Sequence, residues 1–205
     1  INTVVAEERK LVMNVNFDQL EGVVQEKAVT MQPIKADAQV RYEEKGVYFD
    51  KLDVSSSFMN VNSKGSLESL TYTADMDLAA TQQQVGKFID FAGYEMAGKI
   101  QEEGVLSVKD ETISAKGTVT ADQVNITTKD GVDFTEDKLD MGYDLSLDQK
   151  KNILNIESID LNAELGTVAV KKAIIPMVAE AKENMDLLVS ANLDLNKAKP
   201  YAVAF

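Results

Sequence analysis

Cysteine and histidine are both missing from the 205 residues. Without thiolate or imidazole there is no Cys–His nucleophile pair, no Ser-His-Asp triad and no ordinary zinc site, so most hydrolase and metalloenzyme chemistry is removed. Any catalysis would fall to carboxylates, Lys, Tyr or Ser, and the chain is read as non-enzymatic, without a cofactor. The lack of cysteine fits a reducing cytosol and a cysteine-poor bacterial envelope equally. Tryptophan is absent too, and no apolar run approaches the roughly 20 residues needed to span a bilayer. The opening INTVVAEERK does not have the form of a signal peptide. Because the first residue is Ile1 rather than Met, the chain is expected to be processed or a section of something longer. Lys and Arg number 21 against 34 Asp and Glu, a net charge of −13. Nucleic acid and anionic membrane surfaces both need a basic footprint, so the charge argues against electrostatic binding of either, and nucleic acid is excluded as a partner.

What is present is alternation. Leu11, Met13, Val15 and Phe17 alternate with Val12, Asn14, Asn16 and Asp18, and Ile34, Ala36, Ala38, Val40 and Tyr42 with Lys35, Asp37, Gln39, Arg41 and Glu43. The same period-two pattern runs through Leu70–Leu78, Ile113–Ala121, Leu139–Leu147 and Leu187–Leu195. Each is the signature of an antiparallel strand with one apolar and one wet face. Lys45-Gly46, Lys64-Gly65, Glu103-Gly104 and Asp130-Gly131 sit where a meander would reverse. The predicted fold is mostly β: an antiparallel, one-sided curved sheet, a half-pipe or β-taco, with two short helices. A β-sandwich is the alternative.

One helix is expected near 82–92, where Thr81 and Gln84 have the form of a capping box. Val85, Phe88, Ile89 and Ala92 then follow at helical spacing, up to Gly93 as a C-terminal cap. These apolar residues read as structural plugs. The second helix is expected near 176–185, with Pro176 at its first position and Val178, Ala181, Lys182 and Met185 on one face.

The chain also resembles itself. FDKLDVSSSFMNV (49–61) aligns with IESIDLNAELGTV (156–168) at a shift of about 107, and YTADMDLA (72–79) with VSANLDLN (189–196) at a shift ten larger. VNFDQL (15–20) resembles VTADQV (119–124). Two strand-rich repeats are expected, 1–103 and 104–205, the second carrying an insertion near Pro176, though a single continuous domain is also compatible with the pattern.

Asp75 with Asp77, and the cluster Asp130, Asp133, Glu136 and Asp137, have oxygen chemistry suited to Ca²⁺ but lack the EF-hand spacing. They are read as a solvent face, and no metal site is assigned. Paired carboxylates could serve a glycosidase, yet the sparse aromatics argue against a sugar site. The apolar stripes are the stronger signal. They mix Met, Leu, Ala and Val, a soft filling, on one face only, so a curled, unclosed sheet would line a groove open to acyl chains. The candidate lining residues are Met13, Val15, Phe17, Ala38, Val40, Leu70, Tyr72, Met76, Leu78, Val119, Met141, Tyr143, Leu145, Leu193 and Leu195.

The sequence of a one-sided strand, Asp77-Leu78, the helical segment VGKFIDF, then Ala97-Gly98-Lys99-Ile100 opening the next strand, repeats in degenerate form at LDLNKAKPYAVAF. This cadence resembles the AsmA-like superfamily of bacterial envelope proteins, which includes TamB. The second copy lacks the terminal glycine step, and no N-terminal membrane anchor is present in the sequence. The resemblance implies a periplasmic section of a protein anchored in the inner membrane of a Gram-negative bacterium, with a taco-shaped hydrophobic groove. It implies phospholipid as the partner and a role in lipid transport and outer-membrane biogenesis. The alternative expectation is an assembly module that receives β-segments of outer-membrane protein clients by strand addition.

Overall fold

A computed structural model describes residues 3–7, 9–24, 27–44, 46–177 and 186–198. Each alternating stretch is a strand. The order is β1 (Thr3–Glu7), β2 (Lys10–Phe17), β3 (Leu20–Val24), β4 (Lys27–Met31), β5 (Ile34–Glu43), β6 (Gly46–Ser55), β7 (Met59–Ser66) and β8 (Ser69–Asp77). Helix α1 (Leu78–Val85) follows, then β9 (Glu95–Lys109), β10 (Thr112–Thr127), β11 (Asp133–Asp148), β12 (Ile153–Ala163), β13 (Gly166–Pro176), β14 (Asp186–Leu193) and α2 (Leu195–Ala198).

All strands except β3 and β4 belong to one 12-stranded antiparallel sheet in the order β1-β2-β5-β6-β7-β8-β9-β10-β11-β12-β13-β14, and β3 pairs with β4 as a separate hairpin. The sheet is a meander that does not close into a barrel. Bulges, where one residue too many stands opposite its partner strand, twist and bend such a sheet. Asp50 and Glu157 are passed over in the pairing of β5 with β6 and of β11 with β12, and Gln123 and Lys172 adopt positive φ at register shifts.

The same set of elements occurs twice. A shift of 107 carries β6 onto β12 and β7 onto β13, and a shift of 117 carries β8 onto β14 and α1 onto α2. The correspondence reaches single hydrogen bonds. The Asp77 amide donates to Phe58 O and the Asp194 amide to Leu165 O; the Tyr42 amide donates to Arg9 O and the Gln149 amide to Glu111 O. The junction between the sets lies in the 86–94 connection, ahead of β9. Position 103/104 falls inside β9, whose pairing with β8 and β10 runs through it unbroken.

Several local expectations change. Lys64-Gly65 lies within β7 and Glu103-Gly104 in the middle of β9, so neither reverses the chain. The first helix starts a turn earlier than expected because Asp77 caps it, its Oδ1 accepting from the Ala80 amide at 2.8 Å. The helix-favouring run LAATQQQV then ends at Gly86. Thr81 is thus helical, its hydroxyl donating to Asp77 O, and Val85 closes the helix while Phe88, Ile89 and Ala92 follow in turns. Pro176 ends β13 instead of opening a helix. Val178, Ala181, Lys182 and Met185 lie outside the described residues.

Candidate functional site: an open apolar sheet face

Strand register decides which residues share a face. One row of directly paired residues runs Val15–Ala36–Val54–Val61–Ala74–Glu102–Val119–Met141–Leu161–Val168–Ala191, from β2 to β14. Beside it runs Met13–Ala38–Leu52–Ser63–Tyr72–Gly104–Gly117–Tyr143–Ile159–Val170–Val189. Flanking rows contain Leu11, Val40, Leu70, Leu106, Leu145 and Ile156 on one side, and Phe17, Met76, Ile100, Leu139 and Leu193 on the other. Thirteen of the fifteen predicted lining residues therefore lie on this face. Leu78 and Leu195 do not, because they are the first residues of α1 and α2; Leu195 is 77% exposed.

The face is not covered like a sandwich core. Among the described residues the other sheet is only the two-stranded β3–β4 hairpin. Among the described residues the buried apolar ones are Ala38, Phe58, Ala121, Val124, Ile156 and Ala173, and none of the large side chains is fully buried. The chain exposes 13880 Å², whereas a compact monomer of 22.5 kDa would expose roughly 9,500 Å². Along β8 and β9 the apolar-face residues are nevertheless less exposed than their neighbours, as expected on the sheltered side of a curved sheet.

The opposite face is charged and laterally paired. The Arg41 guanidinium donates to Asp50 at 2.9 Å and also meets Glu43, and it lies 5.5 Å from the centroid of the Tyr48 ring. The bond to Arg41 holds the Asp50 carboxyl below its ordinary range. Lys51 bridges Asp53 at 3.2 Å and Asp37 at 3.7 Å, and Lys116 bridges Asp144 at 2.9 Å.

One feature of the apolar face was not singled out from the sequence. In the four rows, Glu102 is the one charged residue. Both tyrosine hydroxyls donate to its Oε1, Tyr72 at 2.7 Å and Tyr143 at 2.5 Å, and the two hydroxyls also touch each other. Tyr72 on β8 and Tyr143 on β11 reach one another across β9 and β10 because glycine stands below each. A Cβ on Gly104 would lie 3.0 Å from the Tyr72 hydroxyl, and one on Gly117 2.7 Å from the Tyr143 hydroxyl. Burial, followed by the bond to Glu102, pushes the Tyr143 phenol well above its ordinary value; burial raises Tyr72 as well. The signal available in advance was the break in alternation, an acid and two glycines at apolar positions of otherwise regular strands.

At one end, α1 and the β3–β4 hairpin meet. Gln84 is 3% exposed, its Oε1 accepting from the Gln32 amide at 3.2 Å and from Lys87 Nζ at 3.0 Å. Lys87 also donates to Thr30 O, and the Phe88 ring would lie 3.1 Å from a Cβ on Gly22. Ile89 is 56% exposed and plugs nothing.

The acids first weighed for metal have other employment. Asp77 is a helix cap, Asp75 accepts from Gln101, and Asp133 from Thr127. Glu136 is buried, accepting from the Glu164 amide at 2.8 Å and the Leu165 amide at 3.2 Å, which closes the β12–β13 turn. Among the described residues no cluster of three or more such side chains could hold a metal ion, and no helix is long and apolar enough to cross a membrane. Comparison with protein-family models, with curated proteins and with solved structures finds no match.

Proposed function

We propose that this chain is a non-enzymatic segment of an AsmA-like or TamB-like envelope protein, and that its apolar sheet face holds the acyl chains of phospholipids. The single observation that supports this most is the continuity of the face. The two central rows run from Met13 and Val15 on β2 to Val189 and Ala191 on β14, apolar but for Ser63, Glu102 and the two tyrosine hydroxyls, with no second full sheet against them among the described residues. Burying that surface against acyl chains is worth about 0.8 kcal/mol per methylene, which sets affinity by chain length. The wet face, net negative and laterally ion-paired, keeps the complex soluble. In this reading the protein lies in the periplasm of a Gram-negative bacterium, tethered to the inner membrane, and serves lipid movement in outer-membrane biogenesis.

Native mass spectrometry of the purified chain, after incubation with phospholipid vesicles, tests the reading: one or more phospholipids should remain bound. Retention of no lipid, with the apolar face failing to take up an acyl-chain fluorophore, sinks it. Met141→Glu, placing a second carboxylate on the face, should reduce uptake about tenfold, the equivalent of about 1.4 kcal/mol.

A second reading has its own observation. Strand β14 is an edge of the sheet, and it exposes Leu187, Leu188 and Val189 by about half or more, apolar groups on both of its faces. Its sequence, DLLVSANL, has neither proline nor lysine to block pairing. In the first set, the equivalent edge of β8 is occupied by β9. A β-segment of an outer-membrane client added to β14 would extend the sheet in the same way. Leu188→Lys should abolish capture of such a segment in a crosslinking assay and leave lipid retention unchanged; capture that survives the change rules this reading out.

A further inference from the structure

Glu102 is a half-buried carboxylate standing among apolar side chains, with two tyrosines and two glycines arranged around it. By register, Ala36 and Val15 stand where the second set has Tyr143 and Gly117, and Val189, paired with Val170, stands where the first set has Tyr72 paired with Ser63. These equivalents lie toward opposite ends of the sheet, so Tyr72 and Tyr143 come together only where the two sets meet. Both hydroxyls address Oε1, while Oε2 has no protein hydrogen-bond donor among the described residues and is open to solvent, free to meet a ligand. Among the described residues no cation stands near it on its own face, since Lys99 and Lys116 fall on the opposite face by alternation and Lys116 is bound to Asp144.

We propose that Glu102, held by Tyr72 and Tyr143, is a headgroup site within the apolar face, selecting amphiphiles that end in a primary ammonium over those ending in a neutral or anionic group. The inference rests on the lipid-groove reading above and names its substrate class. An ammonium group carries three donors and no acceptor. It can satisfy Oε2 while its charge lies beside the tyrosine rings, which attract cations. An anionic headgroup meets a like charge and no basic partner. The acyl chain of the ammonium amphiphile would lie along the flanking rows, toward Leu106 and Leu145 or toward Ile100 and Leu139.

The test uses the whole chain and three probes of equal length: dodecylammonium, dodecanol and dodecanoate, each competing with an acyl fluorophore at moderate ionic strength. Dodecylammonium should bind about tenfold more tightly than dodecanol, and dodecanoate more weakly than either. Glu102→Gln should bring the ammonium and the alcohol to within about twofold. Glu103→Gln removes the same charge one residue along on the opposite face and should leave the tenfold preference intact, which separates a site from the attraction of a net −13 chain. Equal binding of ammonium and alcohol by the unaltered chain overturns the proposal, as does a preference that persists in folded Glu102→Gln or disappears in Glu103→Gln. Should Glu102→Gln lose its β-sheet circular dichroism, the unaltered chain and Glu103→Gln still decide. Failure to bind any of the three probes removes the groove reading itself; binding without preference removes only the headgroup site.

Discussion

The two halves of the sheet use the same elements and finish them differently. In the first, the chain leaves β2, forms the separate β3–β4 hairpin and returns as β5; in the second, β10 and β11 continue as one long pair to Thr127 and Asp133. Each half ends in an aspartate-capped helix, Asp77 before α1 and Asp194 before α2. Helix α1 has eight residues and is fastened to the hairpin through Gln84 and Lys87. Helix α2 is described over Leu195–Ala198, where Leu195 is exposed and Lys197 makes a side-chain contact to Glu164. The same Asp-Leu start is thus followed at α1 by a helix with a second element packed on it. Short helices gain most of their stability from such packing and little from propensity. The junction differs from both halves, since there alone the apolar face holds a polar cluster.

The largest expected effect comes from making the junction resemble the repeat. Gly117→Val installs the residue found at the equivalent Val15, but its Cβ would collide with the Glu103 carbonyl and lie 2.7 Å from the Tyr143 hydroxyl. A loss of about 3 kcal/mol in urea unfolding is expected; a neutral outcome would mean that the cluster does not depend on the glycine pair.

A smaller effect should follow from Tyr143→Phe, about 1 kcal/mol at neutral pH for the lost hydrogen bond. Its pH dependence is more informative. The Tyr143 phenol is raised in the folded chain above its unfolded value of about 10. The folded state therefore binds that proton more tightly, and the resulting stability is complete below about pH 10 and is lost as pH rises toward the folded value. Unfolding midpoints measured from neutral pH up to alkaline pH should fall for the unaltered chain and fall less for Tyr143→Phe. Parallel curves would count against the cluster as the origin.

The smallest difference separates the two caps. Asp77→Ala should cost about 1 kcal/mol, whereas Asp194→Ala should cost a few tenths, because among the described residues α2 is tied to the sheet only through Lys197 and Glu164. Equal losses by thermal unfolding would show that α2 is consolidated as firmly as α1.

Much of the fold was legible in the residues because period-two alternation is a local property. Any strand with Leu11, Met13, Val15 and Phe17 on one side presents one apolar face wherever it is placed. The spacing that pairs Leu52 with Ile159 and Asp53 with Asp160 is likewise a local pattern, and the strands β6 and β12 fall at that spacing. Helix placement was less so: Thr81 and Asp77 are both good caps, and choosing between them required the preceding strand to end at Asp77. Glycine after a charged residue read as a turn at Glu103-Gly104, where it serves a tyrosine lying across the strand.

By itself the sequence determined the class of the protein, an acidic, one-sided, mostly antiparallel β chain built from two related sets of strands, because alternation, composition and self-similarity need no long-range information. The tertiary structure alone decided that those strands join in one unclosed sheet with all the stripes on one face, since register between distant strands is invisible to local pattern. It also decided that Tyr72, Glu102 and Tyr143, far apart in sequence and unremarked as a group, meet in the middle of it. Tyrosines three strands apart can touch only when the strands between them carry glycine at the facing positions.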